Sequence, residues 1–188
     1  FNAKMNKWNE GSTEGKYLIA ANGKLYALTS DGTLTVYNDN EMQDVAATYN
    51  VGAISPKGNK AVIAVDEAKG DIYVCKGENG ISKIADGKVS QFFECPTFTA
   101  SNKAKNLEAG KEYVKGCANG VYVTAGNVFV ACGSYGLVVL DKKGNVVCHR
   151  KAYNGKSANF VTVDENDNIF VAYGQSRVQV FKLTDTKK

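Results

Sequence analysis

Apolar and polar residues alternate along most of this chain in short runs, and the runs are separated by turns that carry glycine. Residues 126–147, GNVFVACGSYGLVVLDKKGNVV, show the pattern most clearly. Two alternating segments flank a glycine-rich turn, and a third follows Lys142-Lys143-Gly144. Side chains on a strand point to opposite faces with a period of two, so this alternation predicts half-buried β-strands.

The pattern recurs. Residues 17–38, YLIAANGKLYALTSDGTLTVYN, alternate across Asn22-Gly23 and Asp31-Gly32. Both dipeptides favour the two-residue hairpin turns that require positive φ. Val45 to Tyr49 adds a fourth candidate strand. Residues 53–65, AISPKGNKAVIAV, and 70–95, GDIYVCKGENGISKIADGKVSQFFEC, form a second unit. GVYVTAGNVFVACGSYGLVVLDKKGNVVCHRKA (120–152) forms a third, and NFVTVDENDNIFVAYGQSRVQVFKL (159–183) a three-stranded fourth. Between Cys95 and Cys117 the alternation breaks, and Ser101 or Asn102 is placed to cap a short helix running to Tyr113. Residues 1–14 are polar around Met5 and Trp8 and read as one irregular strand or a tail.

Aligned on the aromatic of the second strand, Tyr26, Tyr73, Phe129 and Phe170, the units recur at intervals of 47, 56 and 41 residues. A period in the forties with three or four short strands per unit is the signature of β-propeller blades. Two residues beyond each aromatic stand Leu28, Cys75, Ala131 and Ala172, mostly small. Large beside small on one face is what stacked sheets need in order to interdigitate. The expected fold is therefore all-β, a propeller-like array of about four blades of three to four antiparallel strands, as a closed ring or part of a larger one. The repeats fall at about 16–51, 52–95, 117–156 and 157–183, with an insertion at 96–116. In a closed ring, residues 1–9 would supply the strand that the fourth unit lacks.

The fourth unit, with its Asn-Ile-Phe-Val-Ala and Arg-Val-Gln-Val-Phe strands, resembles an NHL-type propeller repeat. The third, with GLVVLD, is similar to LVIVD-type repeats of bacterial and archaeal surface propellers. The opening of the second is closer to a WD-type strand, although neither a Gly-His nor a Trp-Asp pair occurs in the chain. These resemblances imply a fold and leave the function open.

Composition agrees with that picture. Nineteen glycines against two prolines suit strands and turns, and 44% apolar with 22% charged residues excludes wholesale disorder. The net charge of +4 comes from the second half, where residues 95–188 hold 13 basic and 7 acidic side chains. Arg150 and Arg177 are the only arginines, and nucleic-acid readers depend on arginine's planar fork, so a nucleic-acid partner is not expected. No apolar run reaches membrane-spanning length, and no membrane insertion is expected. The chain opens with Phe1, so the expectation is a processed leader or a start inside a longer protein.

Five cysteines leave at least one unpaired within the chain. Cys95 and Cys117 flank the insertion, either as a disulfide closing it or as two free thiols. None of the 18 asparagines begins an Asn-x-Ser/Thr acceptor. Together these lean towards a reducing intracellular compartment, with the cell surface as the alternative.

Catalytic groups are sparse. His149 is the only histidine and follows Cys148 on a strand, so the two point to opposite faces and make no nucleophile pair; a surface position is expected for it. Histidine-rich metal sites are impossible, Cys-x-x-Cys is missing, and Asp164 to Asn168 lacks the glycine and closing glutamate of a calcium loop. The innermost strands, read as YLIAA, AISP, GVYVT and FVTVD, hold almost only hydroxyls and apolar groups, unlike propeller hydrolases with carboxylates around the central channel. Gly133 to Gly136 is a turn without a P-loop's lysine and helix. The strand-spaced aromatics read as core. No catalytic residue, metal ligand or cofactor is assigned, and an enzyme is not favoured.

The reading reached is a non-enzymatic scaffold that binds a protein partner. A carbohydrate-binding or adhesive surface module, with a glycan ligand, is one alternative. A segment of a propeller hydrolase with its catalytic residues outside this chain is the other. In an up-and-down blade the turn between the second and third strands shares one face with the link to the next blade. Asp31, Glu78, Tyr135, Tyr153, Lys156 and Arg177 fall there, together with the insertion, and are the candidate binding residues. Lys142 and Lys143 fall on the opposite face as inert positions.

Overall fold

The structure is a computed structural model and describes residues 17–39, 41–56, 62–99, 113–174 and 177–184. Blade 1 comprises β1 (Tyr17–Ala21), β2 (Lys24–Leu28), β3 (Thr33–Tyr37) and β4 (Val45–Asn50). Blade 2 comprises β5 (Ile63–Val65), β6 (Ile72–Cys75), β7 (Ile81–Ala85) and β8 (Lys88–Phe93). A hairpin of β9 (Thr97–Thr99) and β10 (Tyr113–Lys115) follows. Blade 3 comprises β11 (Gly120–Val123), β12 (Asn127–Ala131), β13 (Gly136–Asp141) and β14 (Val146–Lys151). Blade 4 comprises β15 (Ala158–Val163), β16 (Asn168–Tyr173) and β17 (Arg177–Lys182). Each blade is an antiparallel meander in chain order, and the four sheets stand in a ring as a four-bladed β-propeller with about 2% helix.

Turn chemistry sets the registers. Ala21 pairs with Lys24 across Asn22 (φ 50°) and Gly23 (φ 70°), the two positive-φ positions of the expected hairpin turn. Asp31-Gly32 behaves differently: Leu28 pairs with Leu34, so the connection holds the five residues between them. It is closed by the Thr29 amide donating to the Thr33 carbonyl at 2.9 Å. The side chains of Thr29, Asp31 and Thr33 bond to one another inside it and outweigh the dipeptide's preference for a tight turn.

Three apolar clusters fill three seams between blades. Tyr26, Leu28, Leu34 and Val36 of blade 1 meet Ile63, Ile72, Val74 and Ile84 of blade 2. Tyr73, Cys75 and Ile81 meet Val121, Val128, Val130 and Leu140 of blade 3. Phe129, Ala131, Leu137 and Val139 meet Val161, Ile169, Val171 and Tyr173 of blade 4. In blades 1 to 3 the aromatic of the second strand and the residue two beyond it thus share the face that packs on the next blade. In blade 4 the equivalent face leaves Phe160, Val178 and Val180 exposed, and Phe170 is only half-buried.

Three sequence expectations are corrected, and a fourth lies almost wholly outside the described residues. Blade 2's inner strand is Ile63–Val65, not AISP, because the pairing of Val65 with Ile72 places the strand after the Ser55-Pro56 bend. Phe170, one of the aromatics expected in the core, is half-buried because it points away from the filled seams. The helix expected from Ser101 lies outside the described residues except at its end, where Tyr113 opens a strand. Lys142 is not inert: its ammonium bonds the Asp66 carboxylate of blade 2 at 2.9 Å, with side chains only 16% and 5% exposed. The turn that carries it packs on blade 2, with Gly144 (φ 93°) held against the Phe92 carbonyl.

Candidate functional site

The turns between second and third strands lie beside the links between blades. The Ser55 amide donates to the Lys76 carbonyl at 3.0 Å, Gly77 bridges Ala118, and Gly133 bridges Ala158. Turns and links therefore share one face. Two cavities open there, and β9 separates them: Thr97 lines one, and Phe98 and Thr99 line the other.

The first cavity, about 870 Å³, is formed by the turn of blade 2 (Lys76, Glu78, Asn79), Gln91 of β8, the link residue Ala53, and Glu94 to Thr97 with Lys115. Lys76 is buried, 6% exposed. Its ammonium donates to Gln91 Oε1 at 2.9 Å, and Gln91 Nε2 donates to the carbonyls of Phe93 (2.7 Å) and Asn79 (3.0 Å). Those two bonds fix the amide so that only its oxygen can face the lysine. Burial pulls the Lys76 ammonium below the usual lysine range. Asn79 Nδ2 donates to the Ala53 carbonyl at 2.9 Å and ties the turn to the incoming link.

Beneath this cavity lies a group of thiols. None of the five cysteines is in a disulfide, so of the two anticipated choices for Cys95 and Cys117 the structure has two reduced thiols and no bridge between them. Cys95 instead lies 3.7 Å from the Cys132 sulfur. The hydrogen bond they share pulls Cys95 down against burial and pushes Cys132 up, with burial adding to the second shift. Full burial drives the Cys75 thiol up.

The second cavity, about 400 Å³, is an aromatic groove lined by Phe98, Thr99, Ser134, Tyr135, His149, Lys151 and the 152–155 link. Tyr135 and His149 stack with ring centroids 3.8 Å apart and planes 6° from parallel, and Phe98 leans on Tyr135 at 5.2 Å. His149 Nε2 lies 2.8 Å from the Tyr135 carbonyl, which can only accept, so this nitrogen carries the proton. The surface position expected for His149 is thus half-buried in a groove. Cys148 points to the opposite face and is exposed, as strand alternation requires.

The six candidate binding residues separate into distinct environments. Glu78 lines the first cavity and Tyr135 the second. Tyr153 turns into the seam between blades 3 and 4, and the Arg177 guanidinium sits 4.4 Å above its ring. Lys156 is exposed, its amide donating to the Tyr153 carbonyl at 2.8 Å. Asp31 is consumed in its own turn, where Thr29 and Thr33 hold its carboxyl below the usual range. Lys76, Gln91, Phe98 and His149 were not anticipated. Lys76 did carry a signal, since the repeat alignment sets it against Thr29 and Cys132.

Asp164, the head of the calcium-like run, accepts from the Asn166 and Asn168 amides and from Asn168 Nδ2 at 2.8–3.0 Å, closing a hairpin turn. Among the described residues no group of three or more His, Cys, Asp or Glu is placed to hold a metal ion. Among them, too, no helix is long and apolar enough to cross a membrane.

No protein-family model matches the chain, and no curated protein matches it. Solved structures do. The computationally designed Ika4 protein aligns with a TM-score of 0.64 at 9% identity, over 98% of this chain and 100% of that one. The WD40 β-propeller domain of Doa1 aligns at 0.59 and 14% identity, over 87% of this chain and 48% of that one. BamB from Moraxella catarrhalis aligns at 0.60 and 9% identity, over 90% and 46%. The chain thus spans a little under half of each of these two natural proteins. At such identities the likeness establishes the β-propeller fold of this chain.

Proposed function

We propose that the chain is an interaction scaffold that binds a protein partner through the face of turns and links. The observation that carries this is the pair of cavities on either side of β9, one polar around Lys76 and one aromatic around Tyr135. Concave surfaces with an anchored charge and a large ring are where interface energy concentrates. The likeness to a WD40 propeller supports an interaction module. Within propellers, we read blade 4 as NHL-type and blade 3 as LVIVD-type.

A photo-crosslinking amino acid placed at Tyr135 or at Lys143 tests the face. Reaction with one discrete protein from the source cells through position 135, and not through 143, is the expected result. Capture through position 143 alone would move the interface to the opposite face. Crosslinking to a glycan through 135 would favour the carbohydrate-binding alternative.

A further inference from the structure

We propose that the cavity around Lys76 is a carboxylate-binding site, in which the Lys76 ammonium receives a single carboxylate. This deepens the reading of the turn-and-link face and rests on it. Three observations converge.

Lys76 departs from the repeat. Its amide donates to the Gly80 carbonyl, just as Thr29 donates to Thr33 and Cys132 to Gly136, so the three occupy the same place in successive blades. Two blades put a small side chain there, and blade 2 puts a charged one. Packing alone does not call for an ammonium at that place, because burying an unpaired charge opposes folding.

The ammonium has donors to spare. Lys76 as a residue is only 6% exposed, and its ammonium bonds a neutral amide oxygen. No carboxylate among the described residues forms an ion pair with it. A lysine carries three N–H donors, and Gln91 takes one of them. Gln91 is itself fixed by two main-chain carbonyls, so the ammonium is held in place before any ligand arrives.

The walls select the ligand's charge. Lys76 and Lys115 are balanced by Glu78 and Glu94 around the same cavity. A singly charged, planar carboxylate matches Lys76 and meets less repulsion from the glutamate side of the cavity than a dianion such as phosphate would. The carboxylate belongs either to a small molecule or to an acidic side chain of the partner.

The test is a titration followed by amide and lysine-ammonium NMR, with three probes: acetate, the capped peptide Ala-Glu-Ala and its glutamine counterpart. Expected are saturable shifts of Asn79, of the Gln91 side-chain amide and of the Lys76 ammonium. The last needs no variant, so the proposal stays testable if Lys76→Met fails to fold. In a folded Lys76→Met protein the dissociation constant should rise about tenfold or more. Tighter binding of the glutamate peptide than of acetate assigns the carboxylate to a partner side chain; tighter binding of acetate assigns it to a small molecule. An unmoved Lys76 ammonium, equal response to the glutamine peptide, or equal binding by Lys76→Met overturns the proposal. Crosslinking through position 135 without carboxylate binding would overturn this inference alone and leave the face reading standing.

Discussion

Replacing Lys142 by Met isolates one interaction between blades. Methionine keeps most of the aliphatic stem and removes the ammonium that sits 2.9 Å from Asp66 and 5.7 Å from the centre of the Tyr73 ring. An exposed ion pair contributes about 0–1 kcal/mol. Breaking a buried one costs about 3–5 kcal/mol, because the partner's charge stays buried. Asp66 is 5% exposed but keeps the Ala68 amide at 3.2 Å, and Lys142 at 16% retains some contact with water. The loss should therefore fall just short of the buried limit, at about 2–3 kcal/mol. With a urea slope of about 2 kcal/mol/M, the unfolding midpoint would drop by roughly 1 M at pH 7. The pH dependence gives a second reading. In the native protein burial tends to raise the Asp66 carboxyl, and Lys142 with the Ala68 amide outweighs it, leaving it below the usual value. A depressed carboxyl contributes stability above its unfolded value near about 3.9, and that contribution is lost as pH falls through the folded value. Without Lys142 burial is opposed only by the Ala68 and Lys69 amides, so acidification should cost the variant less than the native protein. The gap between the two should close from pH 7 towards pH 3. A midpoint shift under about 0.2 M, or a gap that does not change with pH, would refute the reasoning, since Lys142 would then behave as a solvated surface charge.

Phe129→Ala should cost about 3–5 kcal/mol in denaturant unfolding, because a ring 3% exposed between blades 3 and 4 leaves a cavity there; a loss below about 1 kcal/mol would mean that the seam is not packed. Gly136→Ala should destabilise by about 1–3 kcal/mol, because at φ 108° its Cβ would be driven into the Arg150 carbonyl; thermal unfolding unchanged from the native protein would contradict that turn geometry. Tyr135→Ala should weaken partner binding, while Lys143→Ala, at an exposed turn position, should leave both binding and stability unchanged; titration calorimetry with the crosslinked partner checks both.

Much of the architecture was written in local pattern. Alternation marked strands, Asn22-Gly23 marked a turn, and the spacing of Tyr26, Tyr73 and Phe129 marked seams, because each depends on neighbours a few residues away. The face shared by turns and links was legible too, since a meander of known strand number decides which connections lie at the same end. The same alternation separated Cys148 from His149.

Charges were harder to read. Alternation says which way a side chain leaves its strand, and a turn lysine reads as solvated whatever another blade brings against it. Asp66 lies 76 residues before Lys142, and only closing the blades together makes them a pair. Lys76 could be seen in the sequence as an odd residue at a repeat position. Its setting depends on Gln91, on the link at Ala53 and on Thr97 and Lys115 of the β9–β10 hairpin lining the same cavity. The sequence by itself thus determined the strands, their order and the repeat, which are local and periodic. Only the tertiary structure decided which ions are desolvated and which rings stack, because desolvation and stacking are set by chains remote in sequence arriving at the same point.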